Sequence, residues 1–351
     1  MKAEWKAHKL KDVCSRLSSG KGISAKKISV DGYYPVYGGN GIRGYTDIQN
    51  FCGECAIIGR QGAYCGNVRY FSGKAYMTEH AIVVCANQEN NTRYLMYLLS
   101  TMNLGRLSGQ SAQPGLSVKT LCEQIIKLPS LELQQKIAGI LASLDDKIEL
   151  NNRMNENLEQ QARAIFANMF PDITKGDKEI GEYIVPRKGK SLLSKNAVNG
   201  GVPVIAGGLE PATYHNSANT VAPVLTISAS GANAGFVKLW HIPIWSSDSS
   251  FIDSSMTDDL YFWYVMLKKR QQEIFDSQTG SAQPHIYPKH IAVMPVENID
   301  LDQVNVYTKH VSSLFELIGI NIEENRRLAE IRDTLLPRLM SGELDVSNLD
   351  L

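Results

Sequence analysis

Apolar residues recur at alternating steps of four and three along two stretches of the chain. The first holds Ile137, Leu141, Leu144, Ile148, Asn151, Asn155, Leu158, Ala162, Ile165 and Met169. The second holds Tyr307, Val311, Leu314, Ile318, Asn321, Asn325, Leu328, Arg332, Leu335 and Leu339. A period of about 3.5 residues predicts two long helices, each nearly ~60 Å long at ~1.5 Å per residue. The first opens after Ser130, which suits a helix cap, carries Glu132 against the dipole and is stopped by Pro171. The second opens at Asp300-Leu301-Asp302-Gln303, bends at Pro337 and ends at Ser341-Gly342. Two such stripes in one chain point to helices wound on each other, with asparagines fixing the register at some cost in stability. Packing of the stripes against the rest of the chain is the alternative. Outside them, short β-branched runs such as Ala56-Ile57-Ile58-Gly59 and Val221–Ile227 lie between glycine turns and read as short strands.

The two stretches belong to a larger repeat. Ser-Ala-Gln-Pro stands at 111–114 and again at 281–284, 170 residues apart. Gly20-Lys21 returns as Gly189-Lys190, and Pro35-Val36 with Gly38-Gly39 as Pro203-Val204 with Gly207-Gly208. Gly62-Ala63-x-x-Gly66-x-Val68 returns as Gly231-Ala232-x-x-Gly235-x-Val237, and Tyr76–Glu79 as Trp245–Asp248. The expected architecture is α+β: two mixed domains, residues 1–130 and 171–298, with long helices at 131–170 and 299–351. A pseudo-two-fold axis would set the helices antiparallel as a coiled coil, with one mixed domain at each end of a shared rod. Such a rod would hold two recognition lobes at a fixed separation, suiting a duplex whose readable face returns every ~34 Å.

Composition changes the picture in one respect. The 351 residues carry 36 Lys+Arg against 36 Asp+Glu, yet residues 1–130 hold 16 basic against 8 acidic side chains. A basic front segment is compatible with a polyanion such as DNA, and equally with a solvated surface. No apolar run approaches the length of a membrane span, and the start Met1–Val13 lacks the apolar block of a secretory signal, so a cytoplasmic protein without a membrane partner is expected.

Catalytic and metal signatures are weak. Cys52, Cys55 and Cys65 offer three zinc ligands where a structural site takes four, and the histidines do not pair at ligand spacing. Ser19-Gly20-Lys21-Gly22 lacks the spacing and hydroxyl of a nucleotide-binding loop. Asp145-Asp146-Lys147 resembles half of a nuclease motif, but lies within the predicted helix without an upstream Pro-Asp partner. No Asn-Pro-Pro-aromatic segment of the kind used by amino-methyltransferases occurs. No catalytic residue, metal or cofactor is expected.

In order and repetition these segments resemble a type I restriction-modification DNA specificity subunit. The resemblance runs through Glu4-Trp5 with Leu10-x-Asp12-Val13, through Gly59-Arg60-x-Gly62-Ala63-x-x-Gly66, and through Leu131-x-x-Gln134-Gln135-Lys136-Ile137. It is most telling at Asn325-Arg326-x-Leu328 and Leu335–Leu344. It implies a non-catalytic subunit in which two target-recognition domains alternate with two spacer helices. Such a subunit would read two halves of a gapped site on double-stranded DNA and dock two methyltransferase subunits and two restriction subunits. The halves differ: Ser230-Gly231 stands where the first has Gln61-Gly62, and Thr226-Ile227-Ser228 where it has Ile58-Gly59-Arg60. They are therefore expected to read different sequences.

Arg, Asn and Gln read base edges best, while Lys, hydroxyls and glycine-turn amides grip the backbone. Three clusters per repeat carry such residues. The first is Gly39, Asn40 and Arg43, with His215 and Asn216 as its counterpart. The second is Arg60, Gln61 and Tyr64, with Ser230 and Asn233 as its counterpart. The third is Gln110, Ser111 and Gln113, repeated in Thr279, Ser281 and Gln283. Structural turns explain the same glycines, and the doubled Ser-Ala-Gln-Pro favours architecture, since lobes reading different bases need no common reader. Lys21, Lys26 and Lys27, with Arg187, Lys188 and Lys190, suit phosphate contact or solvated surface alike. A pseudo-symmetric coiled-coil scaffold that binds no nucleic acid is the alternative function.

Overall fold

A computed structural model describes residues 4–109, 115–280 and 283–349. The chain divides into two compact units: one comprises the residues up to Glu149 and those from Arg326 onward, the other Leu150–Asn325. The two long helices, Leu131–Met169 and Leu301–Met340, each contribute one part to each unit.

In the first unit a six-stranded sheet runs in the order Cys14–Ser19, Ala81–Ala86, Phe51–Gly59, Val68–Met77, Tyr34–Gly38, Gly41–Thr46. Its central strands are buried on both faces, and the two-residue period of a strand sorts their side chains. Ala56, Ile58, Ile82 and Val84 face the helix Thr92–Thr101 and the main core; Cys55, Ile57, Ala81 and Val83 face a second cluster with Phe51, Phe71 and Met77. Asn91 caps that helix by accepting from Tyr94 N at 2.8 Å. Cys52 and Cys55 fall on opposite faces of one strand, Cys52 exposed and Cys55 buried, so they do not converge as ligands.

The second unit repeats these elements at offsets of 168 to 170 residues. Val224–Ser228 answers Phe51–Gly59, Ser249–Asp253 answers Ala81–Ala86, and Leu260–Lys269 answers Thr92–Thr101. Leu225 and Ile227 face the main core, and Val224 faces a smaller cluster with Ile205, Ile244 and Phe251. Even the parallel pairing recurs, Val36 with Tyr76 and Val204 with Trp245. One difference is structural. The long strand Val68–Met77 becomes two, Val237–Trp240 and Trp245–Ser246, so the six-stranded sheet is replaced by one of four and one of three. Pro243 stands in the interruption, at the place of Lys74, where a residue without an amide hydrogen cannot sustain the ladder.

Within each unit the two helix segments pair antiparallel. In the first unit Asp145 meets Arg332 at 2.8 Å, and Lys136 reaches Ser347 O, in the tail beyond the second helix, at 2.8 Å. In the second, Asn155 meets Asn321 at 2.8 Å, and Gln303 donates to Met169 O at 3.0 Å. The helices also complete the lobe cores. Leu133, Ile137, Leu141, Leu339 and Met340 join the first, and Leu158, Phe166, Tyr307, Val311 and Phe315 the second. The apolar stripes thus serve helix pairing and lobe packing together. The second helix continues through Pro337 to Met340 before Gly342, at φ +72°, turns the chain away.

Candidate nucleic-acid interface

Three loops distant in sequence meet over a fourth segment, a turn, in each unit, and backbone hydrogen bonds hold them. In the first unit Arg60 N donates to His80 O at 3.0 Å, Leu116 N to Arg60 O at 2.8 Å, and Thr78 N to Tyr37 O at 3.0 Å. Gly39 belongs there because of close approach: a Cβ would lie 3.2 Å from His80 O and 3.5 Å from Gln61 O. In the second unit the same bonds are rebuilt. Ala229 N donates to Asp248 O at 3.1 Å, Ile286 N to Ala229 O at 3.0 Å, and Ser247 N to Ile205 O at 2.8 Å. Gly207, rather than Gly208 as the sequence repeat suggests, takes the place of Gly39, since a Cβ there would lie only 2.4 Å from Ser230 O. The turns themselves match: Gly62 and Gly66 have φ of +79° and +87°, Gly231 and Gly235 of +80° and +88°. These are left-handed conformations that side chains disfavour. Lys21 N donates to Met77 O and Lys190 N to Ser246 O, both at 2.9 Å, bringing a lysine to the edge of each cluster.

The side chains differ where the backbone does not. In the first unit Asn40, Arg43, Gln61 and Tyr64 are exposed, while Gly39 and Arg60 are half-buried. The Arg60 guanidinium donates to Glu79 O at 3.3 Å. In the second unit Thr279 and Gln283 are exposed, and Ser230 and Asn233 half-buried; Asn216 is exposed but not at the cluster, because His215 pairs with Val202 as Thr46 pairs with Tyr34, at the far end of the hairpin from Gly207. His215 is buried, packs edge-on against Trp245 and accepts at Nδ1 from Val198 N at 2.9 Å. Its ring is committed to the interior and does not present to a ligand. Gln110, Ser111, Gln113 and Ser281 lie outside the described residues, but their flanks belong to the cluster: Gln61 bridges to Gly115, and Ser230 and Thr279 bridge to His285.

Sequence reasoning passed over several residues here. Glu79 and His80 in the first unit, and Asp248 in the second, occupy the turn that floors the cluster; the only sequence signal was the repeat of Tyr76–Glu79 in Trp245–Asp248. His285 stacks on Tyr287 with ring centroids 5.9 Å apart, where the first unit has Gly115 and Ser117.

Along the helix seam Ile137, Leu141, Leu158, Val311 and Ile318 are buried, and Leu144, Ile148, Leu314 and Leu328 half-buried. Asn151 is fully buried and donates to Glu324 Oε2 at 2.7 Å and Asn325 Oδ1 at 2.9 Å. Asn325 in turn donates to Asn152 Oδ1 at 2.9 Å. Burial pushes the Cys14 and Cys55 thiols up to about 12, so neither is a thiolate at neutral pH. No described helix is long and apolar enough to cross a membrane.

Residues 2–160 match the family described as type I restriction modification DNA specificity domain. The chain is 44% identical over 134 residues to the type I restriction enzyme EcoprrI specificity subunit of Escherichia coli, covering 37% of this chain and 33% of that one. It is 29% identical over 307 residues to the MjaIX specificity subunit of Methanocaldococcus jannaschii, covering 74% and 70%. Its fold is that of the type I restriction-modification S subunit from M. genitalium, with a TM-score of 0.66 at 19% identity and 96% of both chains covered.

Proposed function

We infer that this chain, a member of the type I restriction-modification DNA specificity family, reads a bipartite, gapped site on double-stranded DNA, one half-site through each unit. Its recognition domains are residues 1–130 and 171–298, and the two long helices set the gap between the half-sites. The chain itself carries out no chemistry. It works in the cytoplasm by directing partner subunits, two methyltransferase and two restriction subunits, to the site.

One observation carries this reading: the same loop backbone is built twice with different polar side chains. Gln61 and Tyr64 stand exposed in one unit, and Ser230 and Asn233, half-buried, take their places in the other. A common frame with changed polar tips is what reading two base sequences requires, because phosphate contacts fix position and base-edge contacts carry the sequence. Lysines at the cluster edges, with exposed Lys26, Lys27, Arg187 and Lys188, supply backbone grip.

Exchange of residues 171–298 for those of a specificity subunit with a different target tests the reading. Methylation in cells supplying the partner subunits is expected to change in one half-site and stay fixed in the other. Change in both halves would contradict independent reading.

A further inference from the structure

Each three-loop cluster has an acidic residue at its floor, which is unexpected on a surface that meets a polyanion. Glu79 and Asp248 are matched in the sequence repeat, 169 residues apart, although the second turn is one residue shorter and Asp248 makes the backbone contact that His80 makes in the first. Both lie in the turn whose backbone accepts from the reading loop: Arg60 N to His80 O at 3.0 Å, and Ala229 N to Asp248 O at 3.1 Å. The Glu79 side chain is 43% exposed, yet its Oε2 is shielded from solvent without a hydrogen-bond partner, while Oε1 lies 3.4 Å from His80 Nε2. Asp248 is exposed and accepts from the Ser230 hydroxyl, which occupies the place of Gln61.

An ionised carboxylate only accepts hydrogen bonds, and its two oxygens offer about four acceptor sites. Against phosphate it is repelled. Against a base edge it is selective, because in the major groove only cytosine and adenine present an exocyclic amine as donor, whereas guanine and thymine present carbonyl oxygens that repel it. Resting on the DNA-reading function above, we propose that Glu79 and Asp248 are specificity-determining residues, each accepting from the amino group of a cytosine or adenine in its own half-site. The Arg60 guanidinium, which donates to Glu79 O, holds positive charge beside Glu79 and lets it approach the duplex. The Ser230 hydroxyl orients Asp248 and leaves acceptor capacity for a base. Selection against carbonyl edges by repulsion explains why a residue of the wrong charge for the backbone stands at both sites.

The test is methylation-motif sequencing in cells that supply the partner subunits, comparing the full-length wild-type chain with Glu79→Gln and Asp248→Asn. The amide keeps size and an acceptor and adds a donor, so it tolerates carbonyl edges. Each variant is expected to relax one position of one half-site from an amino base to a mixture with guanine or thymine, a loss of discrimination of about tenfold to a hundredfold. The other half-site, read by the same molecule, stays intact and reports that the variant is folded and assembled. Whether the freed position was cytosine or adenine identifies the base. An unchanged motif in both variants, alongside a bipartite wild-type motif, overturns the proposal and leaves the general function standing. A wild-type chain that directs no bipartite motif overturns the function itself. If a variant loses methylation altogether, Glu79→Ala or Asp248→Ala in purified complexes, assayed on oligonucleotides with each base at each position, decides the matter. A flat change across all bases then contradicts base reading.

Discussion

Lys74 lies in an unbroken ten-residue strand of the first unit, and Pro243 stands at the corresponding place of the second, where the strand is cut in two. The loop clusters nonetheless repeat their backbone contacts, with one residue fewer in the second unit's acidic turn, although one sheet has become two. The repeat therefore protects the frame of the site more closely than the sheet beneath it. The helix segments differ in the opposite sense. The second unit's pair is sealed by rings, with Phe166, Phe170, Phe262 and Tyr307 packed edge-on and tilted around one another. In the first unit the pair is tied by charge, Asp145 receiving Arg332 at 2.8 Å, and the first long helix is tied to the helix Thr92–Thr101 by the Tyr97 hydroxyl on Asp145 and by Arg93 on Asp146 at 2.6 Å. Both lobes have an apolar core and a carboxylate that receives a tyrosine hydroxyl, Asp145 from Tyr97 and Glu159 from Tyr264, but the aromatic cluster belongs to the second and the ion pair between the helices to the first.

That contrast can be broken most forcefully at Phe166. The Phe166→Ala variant is expected to lose about 3 to 5 kcal/mol, the usual cost of truncating a fully buried phenylalanine, read as a lower midpoint in urea denaturation followed by fluorescence. Leu336, its counterpart at an offset of 170, is only half-buried, and Leu336→Ala is expected to lose distinctly less. Equal losses would remove the distinction between the two helix pairs.

Asp145→Ala leaves the Tyr97 hydroxyl and the Arg332 guanidinium without their shared acceptor, at a cost of about 1 to 3 kcal/mol. Phe315 stands at the corresponding place of the second unit. Hydrogen exchange should therefore rise in the helix Thr92–Thr101 and not in Leu260–Lys269. Faster exchange in both would show that the polar network is not local.

A smaller effect follows from His241, which packs against Gly319 and has Ser72 as its counterpart. Burial depresses its pKa to about 4, against the opposing pull of Glu159. The unfolded ring takes up its proton near 6.5, so between about 6.5 and 4 the unfolded chain binds more protons. The stability held by the neutral buried ring is complete above that window and is lost as pH falls through it. His241→Gln should flatten the decline in urea midpoint between pH 7 and pH 5; an unaltered decline would assign the acid sensitivity to other groups. The mildest effect is chemical: exposed Cys52 is expected to react with iodoacetamide well before Cys14 and Cys55, as peptide mass mapping over time would show. Equal rates would contradict the burial of those two thiols.

The long-period helices, the repeat and the glycine turns were legible in the sequence because each is a local or periodic signal. Asn151 and Asn321 stood out for the same reason. The split sheet hinged on one proline, readable only once the strand it interrupts is paired with its neighbours. His215 looked like a surface reader because nothing in its flanks marks the Trp245 ring that covers it. Glu79 and Asp248 were overlooked because the site is assembled from segments more than 15 residues apart in sequence, and an acid in a turn carries no signature of what converges on it.

In the function proposed above, two lobes of one chain read two halves of one DNA site. Single-molecule methylation sequencing of the source genome, with and without this gene, tests it most directly. Deletion is expected to remove methyladenine from a single gapped, bipartite motif and to leave every other methylated motif untouched. A methylome that still carries all of its bipartite motifs after deletion would contradict it.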